Sequence, residues 1–403
     1  MILCCRFKNK CIPIGNNKGA DMKIGLLGHG VVGRGVREII DEGATWEVRE
    51  LEVKRILVKD EFEMVDPRCT MDFSEILNDP EIEIVVECMG GLEPAHTYAK
   101  QALEKGKYIV TSNKKMLAAY CEDLFAAAVA NGVTVHYEAS CGGGIPWMAS
   151  LDRTRRVDDI ESFRGIFNGT TNYILERMKK EGADFSDVLK AAQELGYAER
   201  DPSDDIDGYD VRSKVALSVV KAFDKVVDVS EITTFGIRTI KKEDLAYCAA
   251  NGRTCKLIGT GTDHGDYVSA CVIPMFLKDE DIFSNIPLNF NVIESNSKTL
   301  GAAAFVGQGA GSLPTAHAVV QNIIDIWKNQ DPEINEKFVK PVDNQTHKGV
   351  FYVRTAKQAA FSGLIDRHVS ELAFVTKKIS LVEAAAAAAA ANDETLFIAE
   401  VAE

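Results

Sequence analysis

Between residues 22 and about 140 the chain alternates short apolar runs with stretches of helical period. Residues 23–27, 53–58, 82–87, 108–111 and 133–137 are runs of strand length rich in Val, Ile and Leu, and they predict β-strands. Between them, 32–40, 96–104 and 117–130 carry apolar residues at the spacing of one helix face, and Asn131-Gly132 ends the last of these. Strands alternating with helices of this length predict βαβ units and a parallel sheet.

Gly142-Gly143-Gly144 breaks the alternation. Beyond it, Ser186 precedes a predicted helix at 187–195 that Gly196 stops, as capping chemistry requires. A second helix is predicted at 211–223, strands at 267–273 and 289–293, and a helix at 314–327 placed to return to the first unit. From about 345 the pattern predicts a strand at 349–355, a helix at 361–374 and strands at 377–382 and 395–401. The eight consecutive alanines at 384–391 read as helix or as a tract without assigned side chains, and carry no chemistry.

A chain of 403 residues exceeds what one core organises, which predicts two or three domains. Apolar residues are 46% and charged residues 26%, the balance of a globular protein, and no apolar run reaches bilayer length. A net charge of −14 disfavours phosphate backbones, so the expected partner is a small-molecule substrate, with no nucleic acid and no membrane. The ten cysteines, at 4, 5, 11, 69, 88, 121, 141, 248, 255 and 271, include no C-x-x-C pair, and reduced thiols in a cytoplasmic protein are expected. Residues 1–21 hold three of them and no secretory apolar core, and read as an extension outside the fold.

Gly28-His29-Gly30-Val31-Val32-Gly33 is G-x-G-x-x-G between a predicted strand and a predicted helix. The first glycine permits the tight turn, the second lets the backbone approach a pyrophosphate, and the third lets helix and strand pack closely. The helix N-terminus adds amides and the positive end of its dipole, so a dinucleotide is expected at Gly28, Gly30, Val31, Val32 and Gly33. Its flavour turns on the end of the next strand, Lys59-Asp60, where an acidic residue suits a ribose hydroxyl and a basic one a 2′-phosphate. Lys59, with Arg34 just inside the helix, tips the expectation toward NADP over NAD; the plain alternative is a solvated loop charge.

Residues 196–214 crowd Glu199 and aspartates 201, 204, 205, 207 and 210 into a loop that runs into a helix. A calcium loop fails by spacing: with Gly208 as its sixth residue, its twelfth is Lys214, where a bidentate glutamate belongs. A solvated acidic loop is the plain alternative. Asp210 and Lys214 lie four apart on one helix face. That spacing fits a surface ion pair, or a lysine held by a carboxylate to protonate a carbonyl oxygen.

The segment 196–214 has the form G-Y-A-E-x-D-P-x-x-D-x-x-G-x-D-x-x-x-K and resembles the homoserine dehydrogenase family, whose motif it matches at every fixed position. Phe167-Asn-Gly-Thr-Thr-Asn-Tyr-Ile-Leu175, Thr111-Ser-Asn-Lys114 and Glu138-Ala-Ser-Cys-Gly-Gly-Gly-Ile-Pro146 are similar to that family too, and the likeness covers about 22–330. The resemblance implies that Lys214 donates a proton to the substrate carbonyl, that Asp210 orients it or a bound water, and that Glu199 and Asp205 bind the substrate's amino-acid head. It implies that Lys114 sits beside cofactor and substrate, and that Gly307-Gln-Gly309-Ala-Gly311, followed by Pro314-Thr-Ala316, lies near the nicotinamide. It also implies a monovalent cation, sodium or potassium, on the Glu138 carboxylate and the carbonyls of Cys141, Gly143 and Ile145. Oxygen ligands suit a hard cation; a glycine hinge is the plain alternative, and both can hold. Many bacterial members carry a C-terminal ACT-type domain of βαββαβ order. Residues 349–403 resemble its first βαββ, with Lys357-Gln-Ala-Ala in place of the glycine-rich ligand turn, so strong feedback by an amino acid is not expected.

The expected fold is therefore α/β. A Rossmann-type NAD(P)-binding domain spans 22–144 and is completed by about 305–330; a mixed α+β catalytic and dimerisation domain spans 145–304; a small C-terminal βαββ, partial ACT-like, appendage spans 345–403. The expected activity is NAD(P)H-dependent reduction of L-aspartate 4-semialdehyde to L-homoserine by a homodimer or higher homo-oligomer. One rival is another amino-acid-aldehyde dehydrogenase, for which Cys141 is the candidate nucleophile in a glycine-rich loop. The other is a dinucleotide-sensing protein without turnover.

Overall fold

The computed structural model describes residues 22–330 and 338–403, so the expectation for residues 1–21 lies outside the described residues. Met22–Leu27 (β1), Leu51–Leu57 (β2), Cys69–Thr70 (β3), Ile82–Glu87 (β4), Tyr108–Thr111 (β5) and Val135–His136 (β6) form one parallel sheet in the order β3-β2-β1-β4-β5-β6. Strand order reverses between β1 and β4, and ligands of such sheets bind outside the carboxyl ends at that switch point. The apolar runs of β1 and β4 are buried because helices cover both faces.

The chain leaves β1 through Gly28, whose φ of +95° is open to glycine, and enters the helix Val31–Glu42. A methyl on Gly33 would stand 2.1 Å from the Gly28 carbonyl oxygen, so only glycine permits so sharp a departure. The helix Ser312–Trp327 returns to this sheet, where Ala316, Val319, Ile323 and Ile326 share a core with Ile24, Leu26, Val36 and Val110. The single helix expected at 117–130 is two, Lys114–Ala119 and Cys121–Asn131. They part at Tyr120, whose φ is −122° and whose ring stacks on His96; a one-residue break leaves the apolar period intact and is invisible to it.

The second sheet is mixed. Gly301–Gln308, Phe290–Ser297, Ile160–Ile166, Arg253–Asp263, Val268–Lys278, Phe397–Val401, Lys348–Arg354, Ala373–Thr376 and Ile365–His368 are neighbours in that order. Five of these strands escape sequence reading, three of them before the C-terminal segment. Arg253–Asp263 is interrupted by Lys, Gly and Thr, Gly301–Gln308 is rich in Ala and Gly, and Ile160–Ile166 mixes charge with apolar residues, so none carries a clean period of two. The helix Tyr209–Phe223 lies across the sheet, buried along most of its length. Gly259 allows that approach: a methyl there would stand 2.5 Å from Val215 Cγ2.

The C-terminal segment departs from expectation. Residues 361–374 form no helix: after the turn Gln358–Phe361, Gly363 at φ +84° redirects the chain into Ile365–His368 and Ala373–Thr376. Strand wins here because Lys348–Arg354 offers an edge, pairing Tyr352, Val353 and Arg354 with Val375, Phe374 and Ala373. The strand expected at 377–382 shrinks to Ile379–Ser380. Ser380 instead caps the helix Leu381–Ala391 in a reciprocal box with Glu383, which makes the alanine tract helical. The segment thus departs from the expected βαββ: one helical turn stands where its helix was expected, and a further helix and strand follow. Phe397–Val401 pairs in parallel with Met275 and Phe276, so it continues the second sheet. The buried Arg354 also bonds the buried Asp244 at 2.9 and 3.1 Å, tying the segment to the helix Lys242–Ala250.

Candidate active site

Three turns meet at the carboxyl edge of the parallel sheet. After β1, a methyl on Gly30 would meet nothing within 4 Å, so the outer face of the glycine turn is open to a phosphate and would be filled by a side chain. Val31 stands exposed at the first helical position, Val32 is half-buried beside it, and Gly28 donates its N–H to the Leu57 carbonyl at 2.9 Å. Arg34 is exposed, with its Nε donating to the His29 carbonyl at 2.8 Å. Lys59 is exposed at the end of β2, its N–H donating to Glu63. The neighbouring Asp60 carboxylate is engaged in capping the Phe62 N–H at 3.0 Å.

After β5, Asn113 caps the helix that Lys114 opens, accepting the Met116 N–H at 3.1 Å. Lys114 Nζ reaches Asp210 Oδ1 at 3.0 Å. The other oxygen, Oδ2, accepts from Lys214 Nζ at 2.7 Å and from Asn168 Nδ2 at 2.9 Å. Burial works against the Asp210 charge, but the Lys114 and Lys214 ammonium groups and Asn168 outweigh it and hold the carboxyl well below the usual range. The Asp210 charge in turn holds Lys114 above the usual lysine range. Lys214 also donates to the Phe167 carbonyl at 2.6 Å. An ammonium has three hydrogens, so one remains for a ligand.

The crowded carboxylates of 196–214 tolerate one another because most have a partner. Asp201 caps Ser203, Asp204 pairs with Lys115, and Asp207 takes Arg238 at two points. Asp205 accepts from Asn168 Nδ2 at 2.7 Å, and burial, then the Asp210 charge, raises its pKa. Asn168 is thus a member of the centre that residue patterns do not single out. It spends both amide hydrogens on two carboxylates and its oxygen on capping the helix Gly169–Glu181. Glu199 is not drawn into this cluster: its carbonyl accepts from Gln193 and the residue is exposed.

In the 138–146 loop the Glu138 side chain is held by the protein. Both carboxylate oxygens face backbone amides, Oε1 that of Met148 at 2.9 Å and Oε2 that of Ala149 at 2.7 Å, so the group caps the helix Trp147–Arg155. The loop is pressed on the late glycine loop, where a methyl on Gly143 would stand 2.6 Å from the Gly309 carbonyl carbon. The Ile145 carbonyl accepts the Trp147 N–H at 2.7 Å. Among the described residues no three His, Cys, Asp or Glu side chains gather as a metal site. Cys141 is buried against Ser218 and the Lys214 carbonyl, and burial pushes its thiol up to about 12, which works against a role as nucleophile.

An open glycine turn at the switch point of a parallel sheet, with a lysine–carboxylate pair tied to the same edge through Lys114, defines a dinucleotide-dependent dehydrogenase. Residues 28–138 match the family described as "Homoserine dehydrogenase, NAD binding domain", and residues 146–324 that described as "Homoserine dehydrogenase". The chain is 36% identical over 317 residues to the homoserine dehydrogenase of Bacillus subtilis (strain 168), covering 76% of this chain and 73% of that one. To the homoserine dehydrogenase of Synechocystis sp. it is 40% identical over 316 residues, again covering 76% and 73%. The solved homoserine dehydrogenase of Thiobacillus denitrificans is similar with a TM-score of 0.83 at 30% identity, covering 95% of this chain and 98% of that one. The chain belongs to the homoserine dehydrogenase family of NAD(P)-dependent oxidoreductases acting on a CH–OH group.

Proposed function

We propose that the chain interconverts L-aspartate 4-semialdehyde and L-homoserine. The observation that carries this reading is the buried Lys214, held by Asp210 and the Phe167 carbonyl with one hydrogen left to give. Gly28, Gly30, Val31, Val32 and Gly33 hold the pyrophosphate of NAD(P), and Gly309 borders the nicotinamide. The exposed Arg34 and Lys59 offer positive charge to a 2′-phosphate and favour NADP over NAD. When bound, the dinucleotide supplies a hydride to the aldehyde carbon. Lys214 gives its proton to the oxygen as it becomes an alkoxide, and Asp210 keeps that lysine aimed. Asp205 and Glu199 attract the substrate ammonium, and Lys114, a third open to solvent, faces its approach.

A sodium or potassium ion suits the Glu138 carboxylate, which two amides hold in place, together with the carbonyls of Cys141, Gly143 and Ile145. Homodimer formation is supported by Gly301–Gln308, an edge strand with Ala302, Ala304 and Val306 exposed. A cytoplasmic location agrees with the seven described cysteines being free thiols. The deciding assay follows absorbance at the NADPH band with homoserine and NADP or NAD. No reduction with either cofactor would sink the reading.

A further inference from the structure

Glu87, the last residue of β4, is a fully buried carboxylate that the chemistry above does not use. Such a group is costly unless it is hydrogen-bonded, and burial raises its pKa. Its donors come from two different turns. From the turn after β4, the Met89 N–H donates to Oε1 at 2.8 Å. From the strap after β5, Thr111 Oγ1 donates to Oε2 at 2.6 Å, and Asn113 Nδ2 stands 3.5 Å from Oε1. Asn113 spends the same amide on the Gly91 carbonyl at 2.8 Å, closing the loop between the turns. The Ser112 N–H, finally, donates to the Glu87 backbone carbonyl at 3.2 Å.

The consequence lies one residue further on. Asn113 is the cap of the helix that begins with Lys114, and Lys114 is the cation that holds Asp210 Oδ1. The turn after β4 in turn abuts the nucleotide loop, since a methyl on Gly28 would stand 2.9 Å from the Cys88 carbonyl oxygen. One buried carboxylate therefore registers the cofactor edge of the sheet against the strap that carries Lys114.

We propose that Glu87 is a positioning residue of the reaction, locking the turn after β4 to the 111–114 strap and thereby setting Lys114 against Asp210. This rests on the reading of Lys114, Asp210 and Lys214 as the reaction centre. Misplacement of a reacting array by about 1 Å can cost about 100-fold in rate. A glutamine keeps the shape and one acceptor oxygen, so it restores most of what alanine loses.

The test is a double-mutant cycle on the full chain with Glu87→Ala, Asn113→Ala and the double variant, beside Glu87→Gln and Lys214→Ala. Steady-state kinetics with homoserine, NADPH fluorescence titration and thermal melts are measured for each. The proposal expects Glu87→Ala to lose about 10- to 100-fold in kcat/KM while NADPH affinity changes by less than about threefold. Glu87→Gln recovers most of this, and the double variant loses little more than either single one, because both cut one linkage. Losses that simply add, or a folded Glu87→Ala within about twofold of the parent, overturn it. If Glu87→Ala does not fold, the same cycle with Thr111→Val, which removes the hydroxyl donor to Glu87 Oε2, decides. Retained activity in Lys214→Ala would instead sink the reading of the centre, whatever Glu87 does.

Discussion

Lys114 stands at the carboxyl end of the parallel sheet and Asp210 on the helix across the second sheet, and their charged groups lie 3.0 Å apart. That contact joins the two halves of the molecule at the point where chemistry is proposed. It also sets a direction of approach. The side chains of Asp210 and Lys214 are each less than a tenth exposed, whereas that of Lys114 is a third exposed, so the side of the cluster open to solvent is the Lys114 side.

Lys214→Ala is expected to lower kcat by about 10²- to 10⁴-fold, the usual worth of a positioned acid, with NADPH affinity unchanged. Lys214 touches the Phe167 carbonyl and Asp210, not the glycine turn, which is why binding and turnover should separate. Turnover within a few fold of the parent would place the donor elsewhere.

Two glycines of one motif should fail in different ways. Gly30 has an ordinary φ of −77° and open space beyond it, so Gly30→Val should fold yet lose dinucleotide binding in calorimetric titration. Gly33→Ala places a methyl 2.1 Å from the Gly28 carbonyl oxygen and should lower the melting temperature itself. Cofactor binding by a folded Gly30→Val would make the turn purely structural.

Cys141 should resist iodoacetamide in the native protein, because it is fully buried and its thiol sits at about 12. Peptide mapping after alkylation checks this. Rapid labelling at Cys141 with matching loss of activity would revive a thiol mechanism.

Glu138 should make stability depend on pH. Burial raises its pKa from an ordinary 4.5 to about 7. The folded state therefore holds this proton more tightly than the unfolded chain, so the contribution is full below about pH 4.5 and is lost as pH rises through about 7. Urea unfolding at about pH 5 and about pH 8 should show the parent losing on the order of 1–3 kcal/mol that Glu138→Gln, which cannot ionise, does not lose. Parallel pH dependence in the two proteins would contradict it.

Arg354→Ala strips the guanidinium from Asp244, which is wholly buried. Leaving such a charge unpaired costs about 3–5 kcal/mol, so unfolding midpoints should fall sharply while kcat at low temperature holds. A small stability change would mean that the Tyr352 hydroxyl and the Lys241 N–H, donating to Asp244 at 2.9 and 2.8 Å, suffice without the guanidinium.

Elements whose cause is local can be read from the chain of residues alone. The strands 82–87 and 108–111 run as their apolar patterns predict, and the glycine turn follows from backbone freedom at Gly28 and close packing at Gly33. The ion pair of Asp210 and Lys214 follows from a spacing of four on a helix. Tertiary structure decided what depends on partners distant in the chain. Asn168 meets Asp210 across 42 positions, and Thr111 meets Glu87 across 24. Glu138 engages the amides of Met148 and Ala149, and Glu199 is exposed. Residues 361–374 carry apolar spacing that suits either a helix or strands, and the free edge of Lys348–Arg354 settled it. A local period records only which faces are apolar, whereas pairing and the partner of a buried charge are fixed when distant segments bury one another.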